Sequence, residues 1–319
     1  MINIEHNSKI RENYLKNFYV KETSFGRVLG SPYTFLYLIE GFLFDASVTA
    51  WAYLLVNEIS KLEWKKVVFL THSHYDHLGG IPVLKKFFPD LKVYGHKNIE
   101  KVMESKNALE IIRKFDKLDS EEIRKYNKIG EFEFEVFNLD VAFDFSESKE
   151  LMVDEVLAIY SPGHTKDTVA YYLNKYKALI MAESMGVPNY KFSFVLPEFL
   201  TSYNLYVSSY NSLKELVLRE KVNNFLLPHI LYFESFSDVR DFLKLSEESL
   251  ELYVRSIINF IDKVNLRKDC DEEEFNKKFT EIFNMMIEKF YVRYELSQPI
   301  YGFEANVKAQ VKAVLKELV

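Results

Sequence analysis

"THSHYDHLGG", Thr71 to Gly80, puts three histidines and an aspartate within six residues and closes on two glycines. The chain has 7 histidines in 319 residues, so this is a concentration that needs a cause. Surface decoration, a catalytic base and a metal cradle would each supply one. The run before it, Val67 to Leu70, is β-branched and aromatic and reads as a short strand that delivers the cluster to a loop.

The same pattern recurs along the chain. "EVLAIYSPGHT" runs from an apolar strand into His164, "KALIMAES" into Glu183, and "NNFLLPHI" into His229. Polar residues at the ends of apolar strands are where open sheets place their chemistry. Imidazole nitrogens and carboxylate oxygens are the ligands of zinc, iron and manganese. The alternation His72-x-His74-x-Asp76-His77 sends neighbouring side chains to different sides of a loop, so one turn can serve two ions. A lone histidine is normally a solvated or satisfied core residue, and the recurrence at strand ends is what favours metal. His6, in a polar N-terminal stretch, reads as solvated. His96, at the end of "LKVYGH", reads as structural.

Composition sets the frame. Hydrophobic residues make up 48% and charged residues 28%, the balance of a globular protein with a sizeable core. A net charge of −6 argues against a nucleic-acid partner, which needs clustered Lys and Arg. Cys270 is the only cysteine, which excludes an intrachain disulfide and any site built on several thiolates. No stretch has the length of a signal peptide core or a membrane span, so a cytoplasmic protein without a membrane partner is expected.

Tyr33–Ser47 reads as a strand pair turned at Glu40-Gly41. "GGIPVLKKFFPD" reads as a helix ended by Pro89, "LKVYGH" as a strand, and Asn98 to Lys117 as a helix. "EFEFEVFNLDVAFDF" alternates and reads as strands with one exposed face. From about Ser235 helical periodicity takes over, roughly Asp238–Val264, Asp271–Tyr291 and Phe303–Leu318. The expected organisation is a unit over 1–235 and a helical extension over 236–319 packed on it.

Taken together, "THSHYDHLGG", "SPGHT", a strand-end carboxylate and a later histidine resemble the metallo-β-lactamase fold superfamily, which contains glyoxalase II, thioesterases and lactonases. The likeness covers about Tyr33 to His229. It implies an α/β fold, a four-layer αββα sandwich, here with a C-terminal α-helical extension, and a dinuclear site at one edge. Carried over by position, His72, His74 and His164 hold one divalent ion, and Asp76, His77 and His229 the other. Zinc is the first expectation, with iron or manganese also suited. Asp45 in "LFDAS" stands where the family has an aspartate that supports the ligands. The bridging carboxylate is usually Asp in the family and is Glu183 here, so it either bridges or binds one ion only.

The expected activity is hydrolysis. Two ions lower the pKa of a shared water, whose hydroxide attacks an ester, thioester, lactone or phosphodiester of a small molecule, with Asp76 orienting it. His74 stands where diiron redox members of the superfamily carry Glu, which argues against that branch. Two other readings stay open. One is a ligand-binding or sensor protein on the same fold. The other is a serine hydrolase using Ser184 in "AESMG" with His229, although no helix follows the serine and no histidine follows His229. Cys270, in "RKDCDEEE", is weaker still as a nucleophile. The segment Asn189–Tyr206 and the helices after Ser235 either roof the site or form a homodimer interface.

Overall fold

All six side chains of the strand Thr34–Ile39 are buried, and the period-two alternation of a strand divides them between two cores. Phe35, Tyr37 and Ile39 join one apolar cluster, Leu36 and Leu38 another. In the computed structural model, which describes residues 5–319, the same division repeats: Phe69 faces the first cluster and Val68 the second. Strands covered on both faces read as continuous apolar runs, which is why "KVVFL" and "ALIM" do not alternate.

Two sheets enclose the first of these clusters. One is seven-stranded and follows chain order from Tyr19–Glu22 to Val141–Phe143. Its first four strands pair antiparallel, and Phe42–Phe44, Val67–Phe69, Lys92–His96 and Val141–Phe143 then pair parallel. The second sheet has six strands, running from Glu150–Val153 at one edge to Tyr232–Phe233 at the other. Between the sheets lie Phe44, Phe69, Phe143 and Tyr171. Outside the first sheet pack the helices Thr49–Ile59 and Ile81–Phe87. Outside the second pack Tyr203–Glu220 and the start of Phe236–Lys263. The layers are therefore αββα, as expected.

The turn between Thr34–Ile39 and Phe42–Phe44 has φ of 52° at Glu40 and 79° at Gly41, the doubly left-handed geometry that matches hairpin twist. The helix expected over Asn98 to Lys117 is two helices, Asn98–Glu104 and Lys106–Arg124. They divide at Ser105, whose hydroxyl accepts from the amide of Ala108 at 3.3 Å and caps the second. The alternating segment 131–145 contributes only Val141–Phe143 to a sheet. Its Phe134 and Phe137 instead sink into the helix layer outside the first sheet, where burying two rings outweighs a ladder.

The C-terminal helices follow the periodicity: Phe236–Lys263, Glu272–Met286 continued by a π-helical turn at Ile287–Val292, and Ile300–Glu317. Tyr253, Ile257, Phe279, Phe290, Phe303 and Val311 form their own apolar cluster, which also takes in Phe194, Leu196 and Phe199. The helix Phe236–Lys263 joins both layers, since Phe242 belongs to the second sheet's outer cluster and Ile257 to the C-terminal one. Among the described residues no helix is long and apolar enough to cross a membrane. The side chain of His6 lies outside the described residues.

Candidate metal centre

Asp45 and Thr71 end adjacent parallel strands, and their side chains lock the two loops together. Asp45 has φ of 62°, a left-handed conformation that costs a non-glycine residue energy and is held by its surroundings. Its amide donates to Phe69 O (2.9 Å), while Thr71 donates its amide and its hydroxyl to the two carboxylate oxygens at 2.8 and 2.9 Å. Because a carboxylate accepts, Nδ1–H of His77 donates to Asp45 Oδ2 at 2.8 Å, and Nε2 is left facing inward.

Two other histidines are aimed the same way by backbone carbonyls. His164 Nδ1 donates to Glu198 O and His229 Nδ1 to Tyr33 O, both at 2.6 Å. His72 Nδ1 lies 3.1 Å from the Thr71 hydroxyl, so its Nε2 also points inward. The glycine of "SPGHT" is needed for room. A Cβ on Gly163, at φ 131°, would stand 2.3 Å from the backbone of Tyr206, and its carbonyl accepts from the amides of Leu200 and Thr201. Gly80 has ordinary helical dihedrals, so a tight turn is not its reason. Its Cβ would stand 2.2 Å from Ala46 O, and close approach of the two loops is what excludes a side chain.

The structure brings all seven proposed ligand side chains together. His72, His74 and His164 form one group whose ligand atoms lie within 4.8 Å of one another, and Asp76, His77 and His229 form a second. Glu183 stands between them. Its Oε1 is 3.0 Å from His77 Nε2 and 2.9 Å from His229 Nε2. Its Oε2 is 3.3 Å from His164 Nε2 and 3.6 Å from His72 Nε2. One carboxylate thus reaches both groups. Asp76 lies 3.7 Å from His229 and 4.0 Å from His77.

These donors fit divalent cations. His72 Nε2 and Glu183 Oε2 are buried with no hydrogen-bond partner, an arrangement that is costly unless a shared electrophile lies between them. His164 Nε2 and His74 Nδ1 face each other at 3.1 Å, which a common cation also explains. Burial holds the imidazoles of His72, His74 and His164 below the ordinary histidine range, in the neutral form that ligates. At His77 and His229 burial acts the same way, but Glu183, with Asp45 and Asp76 at His77 and Asp76 at His229, outweighs it and both are pushed up. Burial alone would raise the Glu183 carboxyl; the imidazoles of His72, His77 and His164 hold it well below the carboxylate range. Replacing Asp45 by Asn is expected to weaken metal binding about 10–100-fold without unfolding the protein, measured by competition with a chromophoric chelator.

A cavity of about 300 Å³ opens on this cluster. His74, Asp76, His164, Glu183 and His229 line one side. Leu196, Glu198 and Leu200 from the Asn189–Tyr206 segment, Ser297 and Gln298 just before the last helix, and Gly302, Asn306 and Ala309 in its first turns line another. Arg11, Tyr33 and Phe115 complete the wall.

Other residues singled out in the sequence lie apart from the cluster or do not pair as required. Ser184 is buried and donates to Ser161 at 3.2 Å, and His229 pairs with Glu183, so the serine hydrolase reading lacks its Ser–His pair. His96 packs against Phe145 and Tyr160, whose rings also stack on each other, and accepts the amide of Asn98 at its Nδ1. Cys270 is partly exposed and does not line the cavity. Thr71, Glu198 and Arg11 were not evident as site residues. Glu198, in "VLPEFL", had one signal, a carboxylate inside an apolar run.

Residues 61–217 match the family model described as metallo-beta-lactamase superfamily. A hydroxyacylglutathione hydrolase of Hamiltonella defensa subsp. Acyrthosiphon pisum is 32% identical over 111 residues, which cover 35% of this chain and 30% of that protein. The chain spans about a third of the length of the first curated relatives that it matches. A metallo-beta-lactamase family protein from Thermus thermophilus has 15% identity and a TM-score of 0.55, covering 94% of this chain and 93% of its own. A stereoselective inverting sec-alkylsulfatase from Pseudomonas sp. has 15% identity and a TM-score of 0.61, covering 93% of this chain and 50% of its own. At these identities the structural likeness is one of fold.

Proposed function

We propose that this chain, a member of the metallo-β-lactamase superfamily, is a dinuclear metal-dependent hydrolase of small-molecule thioesters or related carboxylic esters. The observation that carries the reading is Glu183, whose two oxygens face two separate groups of imidazole and carboxylate ligands. A pair of divalent ions, zinc first, supplies an activated water and polarises the ester carbonyl when bound.

The chain's own residues do the rest. His72, His74 and His164 on one side, and Asp76, His77 and His229 on the other, hold the site with Nδ1 or Nε2 already aimed inward. Asp45, Thr71 and the carbonyls of Tyr33 and Glu198 keep them there, so little reorganisation accompanies reaction. Asp76 lines the cavity, and its carboxylate orients the attacking water and takes its proton. Ile112, Phe115, Leu196, Leu200 and Ala309 exclude bulk water and accept an apolar acyl chain. Among the described residues the one Lys or Arg in the cavity wall is Arg11, which is engaged by Asp119 at 2.5 Å and Glu122 at 3.1 Å. A phosphate tail would have to compete with two carboxylates for it, which favours carboxylic esters over phosphodiesters. The name of the relative from Hamiltonella points the same way.

This reading includes a 1–235 sandwich unit with the 236–319 helices as its cap, a small-molecule partner and a cytoplasmic site of action. The test is a panel of acyl thioesters, carboxylic esters, phosphodiesters and sulfate esters. Turnover of thioesters or carboxylic esters, lost with a chelator and restored by zinc, is the expected result. Turnover indifferent to chelation contradicts the mechanism. Two bound ions with no hydrolysis across the panel favour the ligand-binding alternative.

A further inference from the structure

Beside the ligand cluster the cavity has a second polar patch that the hydrolytic reading does not use. Glu198 is only 2% exposed and lines the cavity, and its own carbonyl holds His164, so its side chain starts beside the first ligand group. A buried carboxylate is costly unless paired with a cation or saturated with hydrogen bonds. Glu198 has neither. Asn306 Nδ2 donates to Oε2 at 2.8 Å, but the donor to Oε1 is Gln298 Nε2 at 3.5 Å, the limit of a hydrogen bond. Burial first, and then Glu183 and Asp76 of its own sign, push its carboxyl well above the usual carboxylate range. Arg11, across the cavity, is engaged by Asp119 and Glu122.

Beside it Gln298 adds a second unfilled acceptor, since its Oε1 is buried with no hydrogen-bond partner. Glu198 Oε1 and Gln298 Oε1 therefore each lack a good donor, and the two residues are joined through the Gln298 amide. One ligand group satisfies both at once and brings the missing charge: an ammonium with several N–H bonds. A hydroxyl has one hydrogen to give, and a quaternary ammonium has none.

We infer that Glu198, Gln298 and Asn306 form a subsite for the primary ammonium group of the substrate, next to the metal-ligand cluster. The preferred substrates are therefore aminoacyl or aminoalkyl esters and thioesters. The inference rests on the hydrolase reading for which molecule carries the amine, but the recognition itself needs no turnover.

Ligand-observed NMR titration of the zinc-loaded protein separates the two. The probes are n-hexylammonium, hexan-1-ol and N,N,N-trimethylhexylammonium at neutral pH. The primary ammonium is expected to bind about tenfold more tightly than either of the others, the scale of a charge-assisted hydrogen bond. In Glu198→Gln the preference should shrink to about twofold or less, with the thermal transition and the zinc content unchanged. Gln298→Ala, at a position just before the last helix, should lower it as well and serves if the Glu198 variant does not fold. Equal binding of all three probes, or a preference that survives both substitutions, overturns the subsite. Ammonium selectivity without any hydrolysis keeps the subsite and removes the hydrolase reading. Hydrolysis without selectivity does the reverse.

Discussion

Glu183→Gln is expected to cost more than about 100-fold in turnover while leaving the fold intact, because loss of a supporting residue alone costs about 10–100-fold. The substitution keeps the length of the side chain and removes its charge. Four imidazoles, those of His72, His77, His164 and His229, then face a neutral amide at 2.9 to 3.6 Å. At least one end of the amide presents N–H bonds to nitrogens that should be ligating a cation. Metal content should fall with activity. Glu183→Asp is the informative companion, since it keeps the charge and withdraws the carboxylate by about 1.5 Å. It should retain more metal than Glu183→Gln and lose the simultaneous reach to both groups. Steady-state kinetics on the active ester, with metal analysis of the same samples, check both.

Asp119→Asn is expected to destabilise the protein by about 3–5 kcal/mol, the cost of breaking a buried ion pair from one side. Asp119 is fully buried and accepts four donors. Arg11 and Tyr301 reach Oδ1, both at 2.5 Å, while Tyr75, at 2.8 Å, and Tyr33 reach Oδ2. An amide in its place accepts at one end only and turns N–H bonds toward two of these donors. The effect extends to the site, because Tyr75 lies between His74 and Asp76, and the carbonyl of Tyr33 orients His229. Asp119 thus ties the first described helix and the last to the ligand loop. Urea unfolding of the metal-free protein measures the stability loss, and zinc titration of the folded variant should show weakened binding. Tyr301→Phe, which removes one donor, should cost only about 1 kcal/mol.

The proposed ligand positions were legible because each sits where an apolar strand stops, and a strand end is a local signal. "KVVFL", "VLAIY", "ALI" and "NFL" all form the strands their composition suggests, and the polar residues after them meet at one edge. The role of Glu183 was not legible. The residue type alone does not say whether the carboxylate reaches one group or both, and only the distances to four imidazoles decide it. Glu198, Arg11 and Asp119 were hidden for a different reason. Arg11 and Tyr301 meet Asp119 across 108 and 182 residues of sequence, and "DKLDSEE" reads as a solvated charged run although Asp116, Asp119 and Ser120 are all buried. The segment 131–145 misled because alternation specifies one buried face and not which layer buries it. The cavity-facing start of the last helix could not be told from plain helical core, since periodicity reports that a face is covered but not by what.

The central claim is that one loop, two further histidines and Glu183 hold two ions that act together. Metal analysis by inductively coupled plasma mass spectrometry, on the wild type and on the His72→Ala and His229→Ala variants grown with zinc, tests it most directly. Two ions per chain in the wild type are expected, falling to one or none in each variant together with turnover. A wild type that holds a single ion at full activity, or variants that keep both ions, would contradict it.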